Sequence, residues 1–166
     1  DLFGAQSLIE EKEPEPTSSL KTIATEAAKY HLVDTEEEVE KLITLLSKQK
    51  EFCFDTETDN IEPRHANLIG VSFSYQKKEA FYVPIQETLS FSDSLIHRFK
   101  DLFLNPLILK IGHNLKYDLK VLGRYGIDVS SACFDTMIAH YLMNPESKQG
   151  MDFLAEKYLN YQCVSI

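Results

Sequence analysis

The stretch FCFDTETDN at 52–60 ends an apolar run in Asp55, Glu57 and Asp59, carboxylates at every second position. Side chains two apart on a strand share a face, so Asp55 and Glu57 stand side by side, next to Cys53. Carboxylates that close repel each other and resist desolvation unless they share a proton or a cation. A solvated strand end satisfies this stretch as well as a metal site does. A second constellation lies in KIGHNLKYDLKVLGRYG at 110–126. Asn114 and Asp118 are four apart, one turn above another, on a helix whose apolar stripe is Leu115, Leu119 and Leu122. Taken singly, Asn114 reads as a helix cap and Asp118 as a surface acid paired with Lys116 or Lys120. Taken together, Asp55, Glu57 and Asp118 are the oxygen donors a hard divalent cation prefers.

The surrounding pattern supplies elements to position them. YHLVD (30–34) reads as a short strand, and Thr35 with Glu38 makes a capping box ahead of Val39, Leu42, Ile43 and Leu46. FCFDTET reads as a central strand, apolar on both faces. LIGVSFSY (68–75) and EAFYVPI (79–85) read as a hairpin across Gln76, Lys77 and Lys78. Ser92 opens a helix with Leu95, Ile96, Phe99, Leu102 and Phe103 on one face, Pro106 follows it, and LILKIG (107–112) is a further buried strand. Helices are expected over 114–125, with Gly126 as the stop, and over 134–143 and 152–158. Asp135 and Asp152 precede helices and read as N-caps rather than ligands. Antiparallel strands followed by alternating strands and helices indicate a mixed sheet flanked by helices, an α/β domain.

With 166 residues and 43% hydrophobic content the chain can bury one core. Residues 1–25 read as a flexible acidic linker, with Pro14, Pro16 and a Ser/Thr cluster, and 26–166 as the folded domain. No apolar run approaches the ~18 residues of a membrane span, and no signal peptide is visible. Cys53, Cys133 and Cys163 are far apart and lack CxxC spacing, which fits free thiols in a cytoplasmic setting. The net charge of −9 gives no general attraction to nucleic acid, so such a role needs local cations. Residues 110–124 supply Lys110, Lys116, Lys120 and Arg124 against the single acid Asp118.

Four ordered blocks, FDTETDN, GHNLKYDLKVL, FDTMIAHYLMNP and MDFLAEKYL, resemble the proofreading domain of bacterial family A DNA polymerases, the polymerase I type. D-T-E and N-x-x-x-D are similar to motifs I and II of the DEDD 3′–5′ exonucleases. The similarity runs from about Tyr30 to Ile166, and it implies a ribonuclease H-like fold and a DNA substrate with a single-stranded or frayed 3′ end. It also implies two Mg²⁺ or Mn²⁺ ions: Asp55 bridging both, Glu57 holding the one that activates water, and Asp118 supporting the other. Asn114 would position the terminal nucleotide, Thr58 would contact its sugar and Ile61 would wedge against the last base. His113 stands where relatives often carry Gln and could touch DNA or cap the helix. Lys148 in the loop ESKQG is the nearest substitute for an arginine that many relatives place on the DNA backbone, a point charge in place of a fork.

The family's third motif, Tyr-x-x-x-Asp, is expected further downstream, and none follows Asp118 before Ile166. These 166 residues on their own are therefore expected to be a weak or inactive nuclease, working as part of a longer polymerase chain. The opening DLF matches the end of the peptide by which many bacterial replication proteins hold the sliding clamp, although its upstream half is absent. Two other readings compete: a related RNA-trimming exonuclease, and a non-catalytic scaffold. The presence of Asp55, Glu57, Asn114 and Asp118 argues against the scaffold.

Overall fold

The alternation in FCFDTET is resolved by one buried face. In the computed structural model, which describes residues 20–85, 92–129 and 132–164, these residues lie in β2 (Glu51–Thr58), preceded by β1 (Lys29–Leu32) and α1 (Glu36–Ser47). Phe52, Phe54 and Thr56 point into the core, while Cys53, Asp55 and Glu57 face the other way. The strand is thus central but not apolar on both faces as expected, because Cys53 is exposed. The Thr35–Glu38 capping box is formed at the start of α1, whose Val39, Leu42 and Leu46 are buried.

β2 is flanked by β3 (Leu68–Gln76), which continues through a tight turn into β4 (Glu79–Pro84). The turn needs Lys78 at φ 63°, a left-handed conformation. Beyond lie α2 (Ser92–Arg98), α3 (Lys100–Leu104), β5 (Leu109–Gly112), α4 (Leu115–Arg124), β6 (Cys133–Asp135), α5 (Thr136–Met143) and α6 (Met151–Leu159). The sheet runs β1-β4-β3-β2-β5-β6, antiparallel through β4, β3 and β2, with β1 parallel to β4 and β5 and β6 parallel to the β2 direction. Three differences from expectation bear on the fold. The helix opened by Ser92 breaks into two near Phe99, β5 starts only at Leu109, where its pairing with Glu51 of β2 begins, and Cys133–Asp135 form a short strand before α5. Three residues are too few to show a periodicity, which is why β6 read as helix.

Phe52, Phe54, Phe73, Phe99 and Phe103 interlock on the buried face at ring-centroid distances of 5.1–6.4 Å. Burying each such ring contributes about 2–3 kcal/mol, which fixes β2 and so the carboxylates at its end. Lys110 points into this same core, fully buried, and its ammonium donates to the carbonyls of Asn105 (2.5 Å) and Ile108 (3.0 Å). The opposite face of the sheet is covered by α5 and α6 with a groove of about 760 Å³ between, lined by Ile111, Phe134, Ala139, Met143, Leu154 and Tyr158 among others.

The DLF tripeptide and most of the expected linker lie outside the described residues. From the remainder of that linker, Lys21 bridges to the end of α6: its N–H donates to Asn160 O, and its carbonyl accepts from Gln162 N, both at 2.8 Å.

Candidate active site

Asp55 and Glu57 extend from the face of β2 opposite the aromatic core, and Ser72 and Gly70 of β3 stand directly across from them. The register slips between Glu57 and Thr58, a bulge that re-aims the strand end. β2 pairs with β5 only over Glu51–Cys53, so further along the strand that edge is free of ladder hydrogen bonds. Asp118 takes the place of a strand there. Its Oδ1 accepts from the Thr56 N–H at 2.9 Å and from the Thr56 hydroxyl at 2.6 Å, and the residue is 3% exposed. The surface pairing with Lys116 or Lys120 does not occur.

The electrostatics follow from that arrangement. Burial, then the charges of Asp118 and Glu57, push the Asp55 carboxyl up to about 6. Burial also raises Asp118, against the lowering effect of its two bonds from Thr56. A carboxylate raised by burial and by like charges is one that a bound cation would relieve. The donor set therefore fits a hard dication in chemistry. In geometry, no three His, Cys, Asp or Glu side chains among the described residues converge as a metal-binding group. Asp118 directs one oxygen at Thr56 instead.

Asp59, the third carboxylate of the opening stretch, has a different task. It accepts from Asn67 N at 2.7 Å and Asn67 Nδ2 at 2.8 Å, bonds that hold it below the usual carboxylate range and close the loop between β2 and β3. Ile61 in that loop is 93% exposed. Thr58 and Tyr117 hydroxyls meet at 2.5 Å, and Tyr117 donates to Asn60 O, also at 2.5 Å. This ties the loop to α4. Tyr117 was missed at the level of sequence because an aromatic between Leu115 and Leu119 reads as core. Its place one residue before Asp118 was the available signal.

Asn114 begins α4 in the left-handed conformation, φ 61° and ψ 41°, an unusual state for a residue with a side chain. Its side chain makes no capping bond. Asp135 does the capping: its carboxylate accepts from Asn114 N (3.1 Å) and Leu115 N (2.9 Å), and from Met137 N (2.9 Å) and Ile138 N (3.3 Å) at the start of α5. One carboxylate thus finishes two helices and leaves the Asn114 amide free. Asp152 does not cap; Gly150 holds that position and Asp152 lies in the first turn of α6.

His113 is also accounted for. Thr136 donates its hydroxyl to Gly112 O (3.1 Å), so it accepts from His113 Nδ1 (2.9 Å), while Nε2 is buried with no partner among the described residues. The ring does not cap α4, and the residue is half-buried. Of the expected basic segment, Lys110 is in the core; Lys116, Lys120 and Arg124 are exposed, and of these Arg124 donates to Ala66 O. Lys148 is exposed on the loop before α6. Gln149 beside it donates to Asn144 O and Ser147 O, so its oxygen accepts from His140 Nδ1 at 2.6 Å. The Tyr-x-x-x-Asp spacing does occur, at Tyr30 and Asp34, but on and after β1 at the sheet edge, ahead of the D-T-E strand.

The 3′–5′ exonuclease family matches residues 30–165, spanning both acidic motifs and every strand but the first residue of β1. The chain belongs to this family. It is a 3′–5′ exonuclease domain of the DNA polymerase I type: it is 40% identical over 158 residues to DNA polymerase I of Borreliella burgdorferi, covering 90% of this chain and 17% of that protein. The chain thus spans about a sixth of the length of that relative. Its fold is ribonuclease H-like. The exonuclease domain superposes on Brucella melitensis NrnC with bound Mg²⁺ at a TM-score of 0.66 and 21% identity, covering 85% of this chain and 66% of that one. It matches the catalytic core of RRP6 from Trypanosoma brucei equally well, at 0.66 and 20% identity, covering 88% and 39%. No helix among the described residues of the domain is long and apolar enough to cross a membrane.

Proposed function

We propose that this exonuclease domain removes nucleotides from 3′ ends of DNA by hydrolysis, as the proofreading part of a longer DNA polymerase I. The observation that carries the reading is the Asp118–Thr56 pair, which brings the N-x-x-x-D helix to the D-T-E strand. Two divalent cations, Mg²⁺ or Mn²⁺, would when bound supply a nucleophilic water and neutralise charge about the phosphorus. Asp55, Glu57 and Asp118 are the residues to hold them, with further oxygen ligands from outside residues 1–166.

The chain's own groups do the rest. Asn114, with a free amide, positions the terminal nucleotide, Thr58 and Ile61 meet its sugar and base, and Lys116, Lys120 and Lys148 meet the phosphates. Asp135 holds the turn on which Asn114 sits. Residues 26–166 are the exonuclease unit, at work in replication and repair in the cytoplasm beside the nucleoid, with the DLF peptide as a contact for the sliding clamp.

The test is Asp55→Ala and Glu57→Ala in the full-length protein. Both should abolish trimming of single-stranded DNA in Mg²⁺ or Mn²⁺ while nucleotide addition stays nearly intact. Survival of trimming in both variants would refute the site. The alternative of RNA trimming has the fold likeness to RRP6 in its favour, and faster trimming of RNA than of DNA would select it.

A further inference from the structure

Gly70 stands directly opposite Glu57 in the β2–β3 ladder, on the same face of the sheet. It has no side chain, and another group fills its place. Tyr82 of β4, paired with Ser72, lays its ring along the sheet so that a Cβ on Gly70 would meet the phenol carbon at 2.5 Å and clash with the hydroxyl. A strand glycine of this kind marks a close approach. Here the close approach brings a phenol beside Glu57. Among the described residues the Tyr82 hydroxyl has no hydrogen-bond partner.

We propose that Tyr82 is a positioning residue for Glu57: its hydroxyl, carried across the vacant face of Gly70 and unpaired in this structure, donates to the Glu57 carboxylate when that side chain turns towards a bound cation, and holds it beside Asp55. Glu57 is an exposed side chain at the end of a strand. Asp55, two residues before it on the same face, repels it. A neutral donor on the far side offsets that repulsion and removes rotamer freedom that the site would otherwise have to suppress. The requirement runs in both directions. Tyr82 needs a glycine at 70, and Glu57 needs the hydroxyl rather than the ring.

This rests on the reading of Asp55 and Glu57 as the nuclease site, and the experiment separates the two. In the full-length protein, Tyr82→Phe keeps the ring and removes the donor. The expected result is a fall in kcat for single-stranded DNA of about tenfold, with KM and melting temperature unchanged. Mn²⁺ affinity measured by calorimetry should weaken severalfold. Gly70→Ala, which displaces the ring, should give the same kcat loss, and the double variant should be no worse than either. Unchanged kcat and Mn²⁺ affinity in Tyr82→Phe would overturn the proposal. So would a rise in KM alone, which would make the hydroxyl a substrate contact. Should Asp55→Ala still trim DNA, the site reading fails instead; absence of both trimming and Mn²⁺ binding in the wild type would remove the site and this role together.

Discussion

Thr56 and Asp118, 62 positions apart, share two hydrogen bonds to one carboxylate oxygen, at 2.6 Å from the hydroxyl and 2.9 Å from the N–H. The backbone bond completes the edge of β2 where β5 has departed; the hydroxyl bond belongs to the side chain and can be removed alone. Thr56→Val keeps the shape and the first bond but leaves a buried carboxylate with one donor fewer. A loss of about 1–3 kcal/mol in urea unfolding is expected, the range for a buried hydrogen bond to a charged group. Trimming of 3′ ends should slow as Asp118 loses its fixed direction. A stability change within error would mean that the hydroxyl bond adds nothing.

The acids also make stability depend on pH. The Asp55 carboxyl is raised from 3.8 to about 6 by burial first and then by Asp118 and Glu57. The folded chain holds this proton more tightly than the unfolded one, so its contribution is present in full below the unfolded value and is lost as pH rises through the folded one. Asp118 is shifted in the same direction. In EDTA, the denaturation midpoint should therefore fall as pH climbs from about 4 to about 6. Asp55→Asn should flatten that slope, and Mg²⁺ should restore stability on the alkaline side.

Asp135 completes the first turns of both α4 and α5. Each cap of this kind contributes about 1 kcal/mol, so Asp135→Ala should cost about 2 kcal/mol in chemical denaturation. The Asn114 turn should loosen as well, weakening single-stranded DNA binding more than a distant change of equal cost.

Only Lys116 and Lys120 of the four cations at 110–124 are exposed and free of structural duty. Lys116→Ala with Lys120→Ala should weaken binding of single-stranded DNA and lower its salt slope by up to about 0.7 per lysine. Lys110→Met should leave that slope unchanged.

Proofreading requires terminal bases freed from pairing, and unpairing costs least at a mismatch. The full-length protein should trim a mismatched primer end faster than a matched one. Equal rates would point to a general nuclease.

The parts of this domain that rest on local periodicity or on a cap were legible in the sequence: α1 with its Thr35–Glu38 box, the hairpin through Lys78, the stop at Gly126. So was the approach of Asp118 to the D-T-E strand, made through Thr56, although the three acids do not converge as a metal-binding group among the described residues. What escaped notice depends on tertiary contact. Lys110 sits in a basic run, yet its register opposite Phe52 sends it into the core. Asp135 and Tyr117 serve other segments than their own, and nothing local marks a carboxylate that caps two helices. The left-handed Asn114 belongs with these, since its strain is held by a residue 21 positions away.

That separation sets an order of events during synthesis. Strand β2 and the acid-bearing helix α4 both leave the ribosome before β6, and Asp118 can reach Thr56 as soon as both have emerged. The backbone of Asn114 has no acceptor until Asp135 follows. A nascent chain therefore acquires the Asp118–Thr56 contact before the Asn114 turn is held.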